Sequence, residues 1–324
     1  MQLVERHVIK PNHRFYRKAD RLSWQCKNLY NRANYIYRQN FFASQETNAL
    51  AVERALKTSL DYKALPAKVA QTTLGLVLKA WTSYYLWVGN YQKDPTKFQS
   101  APKIPHYQGL RERKREDGRY LVVFNCQAVS KRALKKGYVR PSGTNIWLRS
   151  KVIFILEIRI VPQVCCYGVQ VLYEKLEQPL QVNQRVAALD LGLNNLATLT
   201  YNVLGLVPTI YDGRAVKSTN QYCNQVSPAL KSLLPTAQKN SKKLAKCWHN
   251  LNCKVDYYFH TTRSAIIKEF VNHQMGLLVI GGNQYFKKGI NTGLIKNQNF
   301  ACIPQRRFRK ILQYKGQLAE TQVG

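Results

Sequence analysis

Acidic side chains are scarce in this 324-residue sequence: 17 Asp and Glu stand against 50 Lys and Arg, a formal net charge of +33 at pH 7. Self-repulsion of that size needs a counter-charge, so a polyanion is the first partner to consider. Long apolar runs are also missing. VIFILEI is interrupted by Glu157 and LGLVLKAW by Lys79, well short of the roughly 18 to 20 residues of a membrane span. The opening MQLVERHVIK has no apolar signal-peptide core. No membrane partner is expected, and the address is cytoplasmic, with the nucleoid. None of the eight cysteines forms a CxxC pair. Cys247 and Cys253 stand near His249 and His260, but they are six residues apart in helical text, whereas zinc ribbons use short turns between ligands. No zinc is expected in this chain. What the sequence does hold is 45% hydrophobic and 11% aromatic residues, enough for a core and too much for a basic disordered tail.

Three textures follow one another. From Arg14 to Phe42, apolar residues recur at helical spacing (Leu22, Cys26, Leu29, Ala33, Ile36, Tyr37), with Arg21, Lys27, Arg32 and Arg38 between them. A second helix is expected from Ala67 to Val88 after Pro66, burying Val69, Thr73, Leu76, Ala80, Trp81, Tyr84 and Val88. Pro95, Pro102 and Pro105 then mark an extended connector. From Tyr120 to Lys175 short apolar runs read as strands: YLVVFN, KKGYVR, and the pair VIFILEIRI and VCCYGVQVLYE. They suggest a small barrel or curled sheet. Beside them cluster Lys131, Arg132, Lys135, Lys136, Arg140, Arg149 and Lys151 with few carboxylates, a phosphate-tracking face. From Arg185 onward, RVAALDLGLNNLATLTYN, a helix from about Lys239 to Asn272 and the strand LLVIGG read as an α/β domain with a central sheet.

The sharpest chemical signal is Asp190, a carboxylate ending an apolar strand, followed by Gly192. Such a residue can hold a divalent metal at a sheet edge or simply shape a turn. Asp212, in YDGR, reads as a turn residue. Asp256 and Glu269 fall on the later helix as surface or ion-pair residues.

The opening LVERHVIKPNHRFYRKADRLSWQCKNLYNRANYIYRQ, then LPAKVAQTTLGLVLKAWTSY, APKIPHYQG, ALDLGLNNLATLT, DGRAVKSTNQYCNQ and VIGGNQYFKKGINTGLIKNQNFACIP occur in that order. Together they resemble the TnpB (OrfB) proteins of insertion sequences, RNA-guided DNA endonucleases related to type V CRISPR effectors. The resemblance implies a multidomain α+β chain. Residues 1–12 and 106–182 would form a wedge-like β-barrel, 13–105 a helical recognition module, and 183–324 a partial RuvC-type, RNase H-like nuclease domain. Guide RNA and DNA would be its partners and Mg its cofactor, with Asp190 as catalytic residue and metal ligand. It also implies nucleic-acid contacts from Arg214, Lys217, Asn220, Gln221, Lys287, Lys288 and Asn297, beside the basic cluster Lys131, Arg132, Lys135, Lys136 and Arg140.

The departures from that pattern concern cutting. After Asp190 the acidic residues are Asp212, Asp256, Glu269 and Glu320. Where most members end the later strand in glutamate, this chain has Gly281 and Gly282. Relatives whose strand reads VIG take that glutamate from a later motif beyond the YK block; here Tyr314 and Lys315 are followed by GQLAETQVG, and the substitute glutamate, the zinc ribbon and the last catalytic aspartate have no counterpart, so the chain is expected to be truncated and to bind without cutting. A non-catalytic RNA-guided regulator of transcription and a decaying remnant are the alternatives.

Overall fold

The computed structural model describes residues 1–109, 118–176, 184–236, 238, 240–281, 304–316 and 322–323. The chain divides into two compact units, Met1–Lys175 and Leu176–Gly324.

The first unit opens with strand β1 (Gln2–Ile9) and helix α1 (Tyr16–Phe42). Two short helices follow, α2 (Ala49–Lys57) and α3 (Leu60–Lys63), started by Asn48 and Ser59, whose side chains accept backbone N–H groups of the first turn. Pro66 precedes α4 (Ala67–Lys93). After the connector come β2 (Val122–Asn125), helix α5 (Lys131–Lys135), β3 (Tyr138–Val139), β4 (Leu148–Arg149), β5 (Glu157–Pro162) and β6 (Tyr167–Glu174).

Four of these strands form one antiparallel sheet in the order β1-β6-β5-β2. β1 and β6 pair along their whole length, from Gln2↔Glu174 to Ile9↔Tyr167. Val122, Phe124, Ile158, Ile160, Val169 and Val171 are buried and share one core with Leu22, Cys26, Leu29 and Ala33 of α1 and Val69, Val77 and Trp81 of α4. Burial pushes the Cys26 thiol up to about 12, so it is a small apolar core group. This corrects two expectations. Among the described residues the strands make an open sheet and the separate hairpin β3-β4, not a closed barrel. The run VIFILEIRI enters the sheet only at Glu157, leaving Ile153 and Phe154 72% and 82% exposed; an apolar run alone does not tell a paired strand from its lead-in.

In the second unit β7 (Val186–Asp190), β8 (Asn195–Tyr201) and β9 (Thr209–Asp212) form an antiparallel meander. Helices α6 (Arg214–Ser232) and α7 (Lys242–Asn272, capped by Ser241) lead to β10 (Leu277–Ile280), then α8 (Gln305–Gly316) and β11 (Gln322–Val323). The sheet order is β11-β10-β7-β8-β9, with β10 parallel to β7 and β11 parallel to β10. Val255, Phe259, Ile266 and Phe270 of α7 and Phe308 and Leu312 of α8 are buried in the core formed with the sheet residues Leu189, Leu199 and Leu278. Phe259 and Phe308 meet with ring centroids 4.8 Å apart. Among the described residues no helix is long and apolar enough to cross a membrane.

Candidate functional site

The metal-edge candidate lies at the ends of two neighbouring parallel strands. The register pairs Ile280 with Leu189, so Asp190 and Gly281 follow side by side, and Gly281 N–H donates to Leu189 O at 2.9 Å. Asp190 is exposed. The turn behind it is tight: a Cβ at Gly192 would come within 2.6 Å of Asn195 O, and one at Gly213 within 2.6 Å of Leu193 O. Both positions therefore require glycine.

The other carboxylates are engaged elsewhere. Asp212, on β9 two strands from β7, accepts the Arg214 N–H at 3.0 Å at the entry of α6. Asp256 pairs with Arg307, joining α7 to α8. Glu269 is half-buried rather than on a solvated face and accepts the Tyr201 hydroxyl at 2.8 Å. Burial, and then the Glu269 carboxylate, push Tyr201 up to about 12; the same two causes raise Tyr211. Glu320 lies outside the described residues.

A cation stands at the same edge. Arg309 of α8 donates to Gly281 O at 3.0 Å, and Gln305 donates to Leu191 O at 3.2 Å. The last described helix is thus tied to the strand ends that flank Asp190. Among the described residues, one carboxylate with a guanidinium at the same edge does not fit a two-metal centre, which needs several carboxylates to neutralise and position the ions.

The nucleic-acid candidates fall on two surfaces, one in each unit. In the first, Ser130 caps α5, and Lys131, Arg132, Lys135, Lys136 and Arg140 are all exposed. Sequence reasoning missed the aromatic part of this face. The Arg140 guanidinium sits 4.9 Å over the Trp147 ring, and Tyr138 meets Trp147 edge-on at 6.1 Å. Exposed aromatics set among cations are the chemistry that a surface gripping backbone and stacking bases requires.

In the second unit Arg214 and Gln221 are exposed on α6, and Lys217 donates to Asn194 Oδ1 at 2.9 Å. Asn220 corrects the expectation: it is only 5% exposed, because its position on α6 turns inward with Val216 and Cys223, and its amide nitrogen has no partner among the described residues. Lys287, Lys288 and Asn297 lie outside the described residues.

Residues 166–285 match the family model OrfB_IS605, described as a probable transposase. No curated protein sequence matches the chain. Among solved structures, a Cas12f1–sgRNA–target DNA complex is similar over 99% of this chain and 84% of that one, with 8% identity and a TM-score of 0.34. A CRISPR-Cas12f ternary complex is similar over 94% of this chain and 70% of that one, with 10% identity and a TM-score of 0.35. Likeness at that level carries no argument about this fold.

Proposed function

We propose that this chain, whose residues 166–285 match the OrfB_IS605 probable-transposase model, is a TnpB-like protein that holds a guide RNA and its DNA target without cutting the DNA. Sequence choice is delegated to base pairing, while the protein supplies a positive surface that tracks backbone. Both units contribute: residues 1–175 hold 31 basic and 11 acidic residues, and residues 176–324 hold 19 and 6. In this reading the segments 1–12 and 106–182 act as the wedge, 13–105 as the recognition helices and 183–324 as the nuclease-derived domain. The meander continued by parallel strands supports an RNase H-like origin for the last. The chain works with DNA in the cytoplasm and nucleoid.

The observation that supports this reading is that Gly281, and not a carboxylate, stands at the strand end beside Asp190. Mg²⁺ bound at Asp190 alone would supply charge neutralisation near a phosphate, and no hydrolytic step is assigned to it. Such a protein acts by occupying DNA, as a block to transcription would.

The test uses the purified chain with the RNA that copurifies with it, a DNA duplex matching that RNA, and Mg²⁺. RNA-dependent retention of the duplex without strand breaks is the expected result. Guide-dependent cleavage that disappears in Asp190→Ala would overturn the proposal.

A further inference from the structure

A cleft of about 500 Å³ opens in the first unit between the far end of α4 and the connector at residues 98–106. It is lined by Tyr84 and Trp87 of α4, Phe98 of the connector and Tyr30 of α1. Trp87 and Phe98 meet edge-on at 5.5 Å, yet Trp87 remains 54% exposed. Lys103 and His106 stand on the connector side.

The connector side is built rather than draped. Asn31 Nδ2 donates to Gln108 O at 2.9 Å, and Gln108 N–H returns a bond to Asn31 Oδ1 at 2.8 Å. Pro105 O accepts from Asn34 at 3.2 Å and from Arg38 at 2.9 Å, and the Arg38 guanidinium lies 5.0 Å over the Tyr107 ring. Asn34 is fully buried, and its Oδ1 accepts the Trp81 indole N–H at 2.8 Å. One asparagine therefore fixes the strap to both α1 and α4. Binding in such a cleft costs little ordering of the protein.

We infer that this cleft takes one unstacked nucleobase of a single strand, seated against Trp87, Tyr84 and Phe98 with its phosphate toward Lys103 and His106. The inference rests on the nucleic-acid reading above and adds to it a site that grips a base. A pocket of this size with Tyr30, Tyr84, Trp87 and Phe98 among its walls suits a planar ring, every base has a π-face to offer, and a +33 chain draws the attached phosphates.

The test compares the full chain's affinity for a 12-nucleotide oligo(dA) strand and for an abasic deoxyribose-phosphate strand of the same length and charge. Wild-type protein should prefer the base-bearing strand by about tenfold or more. Trp87→Ala with Phe98→Ala should bring the two affinities together by weakening oligo(dA) alone, and Trp87→Phe should keep the preference. Ala80→Phe, which fills the cleft and removes no aromatic, guards against a folding defect and should act like the double variant. Equal binding of both strands by wild type, or a preference that survives both the double variant and Ala80→Phe, overturns the cleft and leaves the nucleic-acid reading standing. Failure of wild type to bind either strand also overturns the cleft, whereas the nucleic-acid reading falls only if the duplex is not retained with the copurifying RNA.

Discussion

A Cβ placed on Gly281 would stand 3.7 Å from Asp190 Oδ1 and 3.6 Å from Leu189 O. Both are ordinary contacts, so the position accepts a side chain without displacing its neighbours. Gly281→Glu is therefore expected to fold and to create a two-carboxylate cation site. Mn²⁺ should raise the melting midpoint of Gly281→Glu by about 2–4 °C for each kcal/mol of binding stabilisation, and should leave Gly281→Glu with Asp190→Ala unchanged. Differential scanning fluorimetry with and without the ion decides it.

The α5 face should act through charge release. Replacing Lys131, Lys135 and Lys136 together with alanine is expected to lower the slope of log affinity against log salt for single strands by about 2. Fluorescence anisotropy over a salt series reads that slope. An unchanged slope would place the phosphates elsewhere.

Asp20 of α1 ties the helix to the connector and to β6. It accepts Arg119 Nε at 2.8 Å and Nη2 at 2.9 Å, and the Tyr167 hydroxyl at 2.6 Å. The bond from Arg119, outweighing partial burial, holds the Asp20 carboxyl below its ordinary value. A depressed carboxyl stabilises the fold above its unfolded pKa of about 4 and loses that contribution as pH falls through the folded value. Asp20→Asn should cost about 1 kcal/mol at pH 7, allowing for solvent screening of a part-exposed pair. That difference should shrink below about pH 4, as urea melts at the two pH values would show.

Cys223 and Cys247 bring α6 and α7 together with their sulfurs 3.0 Å apart, both as free thiols. Burial, reinforced by the neighbouring Cys247 thiol, pushes Cys223 up to about 12. Half-buried Cys247 is the one an outside disulfide can reach. Oxidised glutathione should accept the two hydrogens and leave a protein disulfide, losing two titratable thiols. Closing a loop of about 25 residues should add about 3 kcal/mol of stability in the chain-entropy model. Cys223→Ser should show neither effect. Thiol titration and melting under oxidised and reduced glutathione measure both.

How far the chain could be read from its letters follows the range of the forces involved. α1, α4 and α7 announce themselves because their apolar residues recur at the period of the helix that buries them, and β10 because LLVI is a short unbroken apolar run. Asp190 was legible as the end of a strand for the same reason. Its relation to Gly281 was not, since it arises from the pairing of β7 with β10, 91 residues apart at those positions. α6 was not visible as a helix. Its sequence RAVKSTNQYCNQVSPALKS is polar, holds Pro228 and spaces its buried residues Val216, Asn220, Cys223 and Ser227 thinly, so packing against α7 decides it. The strap at residues 98–106 is set by Asn31, Asn34 and Arg38 bonding to backbone, which leaves no periodic trace.

The pairing of β1 with β6 also governs when the first unit can form. Gln2 finds its partner at Glu174, so the opening strand must wait for almost the whole unit to be synthesised before it has a neighbour. Contacts this distant in sequence slow folding, and at roughly 5–20 residues per second the wait lasts on the order of ten seconds or more. During that interval α1 and α4 are available as nascent cationic segments with their sheet not yet in place. A polyanion present at the ribosome would meet this protein first as a pair of basic helices, and only afterwards as a finished surface.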